Sequence, residues 1–221
     1  YEVLIHNNYK ISVCTAHRMQ GKNEEHLIVG GGPVGLYTAS LLGSRATLTE
    51  QKQTIGTHTQ CAGLVTDRIQ PFLTQKELQR IQVNKPLQTI IQGPTKQLHV
   101  KQKHNIVIDN KEFENTLYDK ALRKGATIHT ATQYKESKGR QRTLYNTKTK
   151  QTYSLQTKQL IGADGPHSRV NKEFSIRQPQ TLTGWQARVK VRNSGDTITF
   201  YPHIGEYAWA IPEDETTMRV G

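Results

Sequence analysis

The chain has 221 residues, of which 34% are hydrophobic, and a formal net charge of +12. That length supports one large domain or two small ones around a real core, and two cysteines, Cys14 and Cys61, are too few for a disulfide framework. No apolar stretch approaches the ~20 residues of a membrane span and no secretory leader pattern opens the chain, so a cytoplasmic protein is expected.

The basic residues are dispersed, without a block of five or six, and read as a solvated surface. No nucleic-acid-binding motif is legible, and no nucleic acid partner is expected. Met19 stands just ahead of "QGKNEEHLIVGGG" and reads as a natural start, with residues 1–24 as an extension outside the fold.

Residues 26–29 predict a short buried strand and 33–42 a helix, with Gly43 as its C-cap. Residues 46–50 predict a second strand ending in Glu50, which completes a βαβ unit. A glycine-punctuated loop covers 55–65, and a short helix is expected over 72–82. Residues 87–109 predict several strands broken by "QGPTK". "KEFENTLYDKALRKGA" is the clearest helix, with Phe113, Leu117, Tyr118, Ala121 and Leu122 on one face and Gly125 as its stop. A β-meander is expected over 127–160 and further strands from 181 onward.

The turn between the first strand and helix fits G-x-G-x-x-G at Gly30, Gly32 and Gly35, and Pro33 opens the helix. In such a turn the first glycine permits the tight bend. The second lets backbone approach a pyrophosphate, and the third lets helix and strand pack closely. The helix N-terminus offers free N–H groups to the phosphates, and a carboxylate such as Glu50 accepts bonds from a ribose diol. A dinucleotide site is therefore expected, although a lone βαβ unit does not separate NAD from FAD.

"LIGADGPHSRV", 160–170, resembles the Asp-Gly motif of FAD-dependent aromatic hydroxylases. "IGTHTQCAGLV", "VIDNKEFENTLYDKALRKGATI" and "GEYAWAIPEDETTMRVG" resemble segments of the geranylgeranyl reductase family, in the same order. The resemblance implies a Rossmann-type FAD-binding domain with a β-rich substrate domain, an α/β architecture like that of the glutathione reductase and hydroxylase flavoproteins. It implies FAD at Gly30, Gly32, Pro33, Gly35 and Glu50, with Cys61, Ala62 and Gly63 beside the flavin. Asn110, where the family has arginine, Asp164 and Gly165 complete the cofactor set. From the residues alone, "GADG" after an apolar strand puts a carboxylate at a strand's C-terminal end, where open α/β sheets bind ligands, with a turn capped by Ser168 as the alternative.

Chain order places the FAD domain over 25–65 and 106–172 and the substrate domain over 66–105 and 173–221, with parallel strands at 26–29, 46–50, 127–129 and 158–163. The family's next FAD motif would lie beyond Gly221, so a truncated chain is expected. Trp185, Tyr207 and Trp209 are candidates to line an apolar substrate cavity, with strand core as the alternative. Nine histidines show no paired metal-ligand spacing, and no metal is expected. The activity implied is hydride transfer from reduced flavin to C=C bonds of prenyl chains in isoprenoid lipids. The reductant would be NAD(P)H or ferredoxin, and peripheral membrane contact is open. The rival readings are a flavin monooxygenase and an inactive nucleotide-binding or interaction module. No catalytic side chain is assigned.

Overall fold

The structure is a computed structural model that describes residues 23–57 and 61–221. The chain begins with β1 (Asn23–Val29), α1 (Pro33–Leu42) and β2 (Ala46–Thr49). The three-residue β3 (Leu64–Thr66) and a 3₁₀ segment lead into α2 (Gln75–Ile81) and β4 (Gln82–Asn84). A hairpin of β5 (Gln88–Gln92) and β6 (Gln97–Lys101) precedes β7 (Asn105–Ile108), α3 (Asn110–Arg123) and β8 (Thr127–His129). β9 (Thr132–Lys138), β10 (Gln141–Asn146) and the long β11 (Gln151–Gly162) form an antiparallel meander. The short α4 (Arg169–Glu173) is followed by β12 (Ala187–Lys190), β13 (Thr197–Tyr201), β14 (Ala208–Pro212) and β15 (Thr217–Val220).

The main sheet runs β8-β2-β1-β11-β10-β9. Its first four strands are parallel, as the sequence predicts for 26–29, 46–50, 127–129 and 158–163. β1 explains the layering. Ile28 shares a core with Leu36 and Ala39 of α1 and Leu117 and Ala121 of α3. Its neighbours Leu27 and Val29 point the other way, into a core with Tyr134, Leu144 and Leu155 of the meander. Helices thus cover one face and the meander the other, and a strand buried on both faces reads as a continuous apolar run.

A second sheet runs β12-β15-β14-β13-β5-β6, joining strands from 88–101 with strands from 187–220 through the parallel β5–β13 pair. Its core of Ile198 and Ile211 also takes in Val107 of β7. A third sheet, β3-β7-β4, is the connecting piece between the two.

Some expectations are corrected. β1 begins at Asn23, inside the segment assigned to an extension, because Asn23 and Glu24 pair with Gln156 and Thr157 on the long β11. Residues 1–22, with Cys14 and Met19, lie outside the described residues. α2 starts after Thr74, not at 72, because Thr74 and Glu77 form a reciprocal capping box. β3 and β4 occupy positions read as loop and as helix end. Each has three residues, too few for a period, and both are fixed by pairing with β7. The first stretch of the expected meander, "ATIHTATQYKE", is two strands, broken at Ala131, whose φ is 51° and whose N–H donates to the Lys52 carbonyl.

Candidate functional site

The glycine turn is built as its spacing implies. Gly30 has φ 110°, and a methyl there would meet Ala163 O at 2.3 Å. A methyl on Gly35 would meet Gly30 O at 1.9 Å, so α1 packs directly on the turn. Gly32 differs, because nothing lies within 4 Å of the position its Cβ would take. The protein does not need that space, and it opens at the start of α1. Pro33 occupies the first turn, where its missing N–H is no loss. No side chain caps that end, and no acidic residue sits in the first turn. The positive end of α1 is left for an anion.

Glu50 follows β2 and turns back to the same loop. Its Oε2 accepts the Gly31 N–H at 2.7 Å and its Oε1 accepts the Lys52 N–H at 2.8 Å. A carboxylate has about four lone-pair sites, so both oxygens retain capacity for hydroxyl donors. The neighbouring loop is held by Glu114 on α3, whose Oε2 accepts the Gly56 N–H at 3.1 Å. Burial pushes the Glu114 carboxyl above its usual range, against the opposing effects of Gly56 and Lys52.

Asp164 follows β11, the strand beside β1, and its Cα lies 2.9 Å from where a methyl on Gly30 would sit. Its side chain is already engaged. Oδ1 accepts the Ser168 hydroxyl at 2.6 Å, and Oδ2 accepts the Arg169 N–H at 2.7 Å and the Val170 N–H at 3.3 Å. Ser168 caps α4 through Asn171 N–H. The carboxylate therefore holds the start of α4, as the turn reading anticipates. Gly165 has φ 80°, and nothing lies within 4 Å of the place a Cβ would take, so its backbone is open to a ligand.

The third loop lies at the junction of the sheets. His58, Thr59 and Gln60 fall outside the described residues. Cys61 is exposed and in no disulfide, and its Sγ accepts the Gly63 N–H at 3.4 Å. Its carbonyl accepts the side-chain amides of Asn110 at 2.7 Å and Gln186 at 3.2 Å. Gly63 has φ 71°, and a methyl on it would meet Arg219 Nη1 at 2.2 Å and Asn110 Nδ2 at 3.1 Å. Arg219 donates through Nη1 to the carbonyls of Ala62 at 2.7 Å and Ile108 at 3.0 Å. Cys61, Asn110, Lys111, Gln186 and Arg219 line a polar cavity of about 380 Å³ that also reaches Gly56.

A family model described as an FAD binding domain matches residues 24–207. The chain belongs to the FAD binding domain family. It is 29% identical over 164 residues to an uncharacterized protein of Methanosarcina barkeri encoded in the nifH2 5′ region, covering 68% of this chain and 87% of that protein. Its fold is similar to that of a geranylgeranyl bacteriochlorophyll reductase-like protein from Thermoplasma acidophilum. There the TM-score is 0.72 at 17% identity, over 90% of this chain and 56% of that one. It is likewise similar to PqsL, a probable FAD-dependent monooxygenase from Pseudomonas aeruginosa. There the TM-score is 0.68 at 13% identity, over 90% of this chain and 60% of that one. The chain thus spans a little over half the length of these solved relatives.

The residues fit FAD. The cleared space at Gly32, the uncapped start of α1 and the spare lone pairs of Glu50 suit an adenosine pyrophosphate. The polar cavity beginning at Gly56 gives the rest of an FAD molecule somewhere to go.

The aromatic candidates belong to the second sheet and its edge, where Trp209 packs in one core with Ala62 and Leu64. Trp185 is 84% exposed. Tyr207 and Trp209 stack at 5.5 Å between ring centroids, and Trp209 also packs against the backbone at Gly221. None of the three lines the polar cavity, nor a second, apolar one of about 360 Å³. That second cavity lies beside α1, between Val34, Tyr37, Phe72 and Phe113.

Sequence reading missed Arg219, Gln186 and Glu213. Glu213 Oε1 accepts both Arg219 Nε at 2.5 Å and Arg188 Nε at 2.8 Å. The signal was an arginine on the inward register of β15, alternating with Met218 and Val220, one hairpin turn from "EDE".

Proposed function

We propose that this chain carries the FAD site of an oxidoreductase that reduces C=C bonds in the prenyl chains of isoprenoid lipids. The observation that carries the reading is the convergence of the Gly30 turn and the Asp164–Gly165 turn at one edge of the main sheet. The resemblance of the Cys61 loop to geranylgeranyl reductases supports the choice of substrate. FAD held by these residues would supply the redox chemistry: hydride addition to one alkene carbon and protonation of the other would saturate the bond, with the two electrons drawn from NAD(P)H or ferredoxin.

The residues have distinct tasks in this reading. Gly30, Gly32 and Gly35 seat the pyrophosphate, and Glu50 takes the adenosine ribose. Cys61, Ala62, Gly63 and Asn110 shape the wall facing the flavin. Gly165 leaves backbone accessible beside the Gly30 turn. No side chain is assigned a proton-transfer role.

Contact with a membrane is part of the proposal. Among the described residues no helix is long and apolar enough to cross a bilayer. Phe174, Ile176, Leu182 and Trp185 are each more than half exposed along one irregular segment. Lys172, Arg177 and Arg188 are exposed on or beside it. Apolar side chains with flanking cations suit an anionic lipid surface. Binding to anionic vesicles that falls with salt supports this, and salt-insensitive binding or none counts against it.

The central test is the visible spectrum of the purified chain after FAD addition and desalting. Retained flavin bands, followed by saturation of a geranylgeranyl lipid under anaerobic reduction, support the reading. A colourless protein overturns it. Oxygen consumption coupled to an oxygenated product replaces it with monooxygenase chemistry.

A further inference from the structure

Arg219 is 3% exposed on β15, and a guanidinium carries five N–H donors. Nε serves Glu213, and Nη1 serves the carbonyls of Ala62 and Ile108. Nη2 is buried with no hydrogen-bond partner among the described residues. Leaving a buried charged donor unsatisfied is unfavourable, and the rest of this side chain is bonded throughout.

The same arginine lines the polar cavity, and it is the buried cation among that cavity's lining residues. The amides of Asn110 and Gln186 both point to the Cys61 carbonyl, and Arg188 Nε is held by Glu213. Lys111, Arg188 and Arg219 line the cavity with Asp109, and Glu213 takes the Nε of both arginines, so three cations stand against two carboxylates. Such a cavity favours an oxygen acceptor with negative character.

Its position says which ligand brings that acceptor. Gly56 lines the cavity, and Ile55 before it would touch a methyl on Gly31 at 2.8 Å. The cavity therefore begins where a dinucleotide seated on the Gly30 turn leaves that turn. With the ribose of the adenosine half at Glu50, the half that enters is the flavin half. Asn110 spends its amide on the Cys61 carbonyl. Arg219 comes from another strand to within reach of the same point, since both side chains crowd the missing Cβ of Gly63.

We infer that Arg219 is a cofactor-binding residue whose Nη2 donates to an oxygen on the flavin half of FAD. The inference rests on the FAD reading above.

The test uses the chain with [15N]arginine and follows the guanidinium resonances as ADP, FMN and FAD are added in turn. Arg219→Gln serves for assignment and affinity. FMN and FAD should move the Arg219 signals and ADP should not. Arg219→Gln should bind FAD roughly 10- to 100-fold more weakly with ADP affinity unchanged. If the wild-type chain binds ADP but neither FMN nor FAD, the FAD reading itself fails. If it binds FAD while the Arg219 resonance stays still, this inference alone is overturned. Should Arg219→Gln not fold, Arg219→Lys supplies the assignment, and the wild-type spectra still decide.

Discussion

Gly30 and Asp164 meet backbone to backbone, with 2.9 Å between the Asp164 Cα and the place a methyl on Gly30 would occupy. The contact follows from topology. β1 and β11 are parallel neighbours in register, Val29 beside Gly162, so the loops leaving them emerge side by side. Two motifs more than a hundred residues apart in the chain thereby share one edge, where open α/β sheets bind their ligands.

The two glycines of the turn should therefore fail in different ways. Gly30→Ala imposes a positive φ on a residue with a Cβ and drives that Cβ into Ala163 O. The backbone strain alone costs about 1–3 kcal/mol, and the clash adds to it. Gly32→Ala meets no atom within 4 Å and keeps an ordinary φ of −77°. Gly30→Ala should lower the melting temperature sharply. Gly32→Ala should leave it near wild type and weaken FAD binding about tenfold or more, as a lost close approach of backbone to phosphate would. Melting curves and FAD titrations on the same samples check both, and normal FAD affinity in Gly32→Ala would remove the pyrophosphate from that position.

The Asp164 motif has two readings, and a pair of variants separates them. Ser168→Ala removes the cap of α4 but leaves Asp164 beside Gly30, and should cost about 1 kcal/mol of stability. Asp164→Ala removes three hydrogen bonds from the same helix start. If the motif is only a turn, both variants lose stability and bind FAD equally. On the proposed reading, Asp164→Ala binds FAD several-fold more weakly than Ser168→Ala at a temperature where both are folded.

The nucleotide edge was legible because its signals are local. The spacing of Gly30, Gly32 and Gly35, the following helical pattern and Glu50 at a strand end each lie within a short window. Arg219 was not legible for the opposite reason. Its role depends on β15 pairing beside β12 and on Gly63 lacking a side chain more than 150 residues earlier. Composition does not report such a contact. Trp185, Tyr207 and Trp209 stay open between the two readings the sequence offers, because an aromatic at a sheet suits a cavity wall and a packed core equally well.

Glu50 gives a sharper test of the adenosine half. Its two oxygens take the N–H groups of Gly31 and Lys52, and glutamine offers only one acceptor oxygen. One backbone N–H would then face an amide NH₂, costing about 1–3 kcal/mol if buried. Glu50→Gln should weaken ADP and FAD together, by about tenfold, while FMN affinity stays within a factor of two or so. Calorimetric titration with the three ligands measures this, and an unchanged ADP affinity would exclude Glu50 from ribose binding.

Tyr134 links the meander to α4 and sets an alkaline limit on the fold. Its hydroxyl donates to Glu173 Oε2 at 2.5 Å and also contacts the Ser137 hydroxyl. Burial, then the bond to Glu173, push the phenol up to about 12, with Ser137 and Arg142 opposing. A tyrosine in the unfolded chain titrates near ~10. The folded value is the higher one, so this contribution is fully present below about pH 10 and is lost as pH rises toward about 12. At neutral pH, Tyr134→Phe should be less stable by roughly 1 kcal/mol, the usual worth of one hydrogen bond. Between about pH 10 and 12 the wild type should lose stability faster than the variant, so the two melting curves converge. The lysines and other tyrosines titrate in both proteins and cancel in the difference. Curves that run parallel across that window would show that the Tyr134 proton is not what the folded state holds.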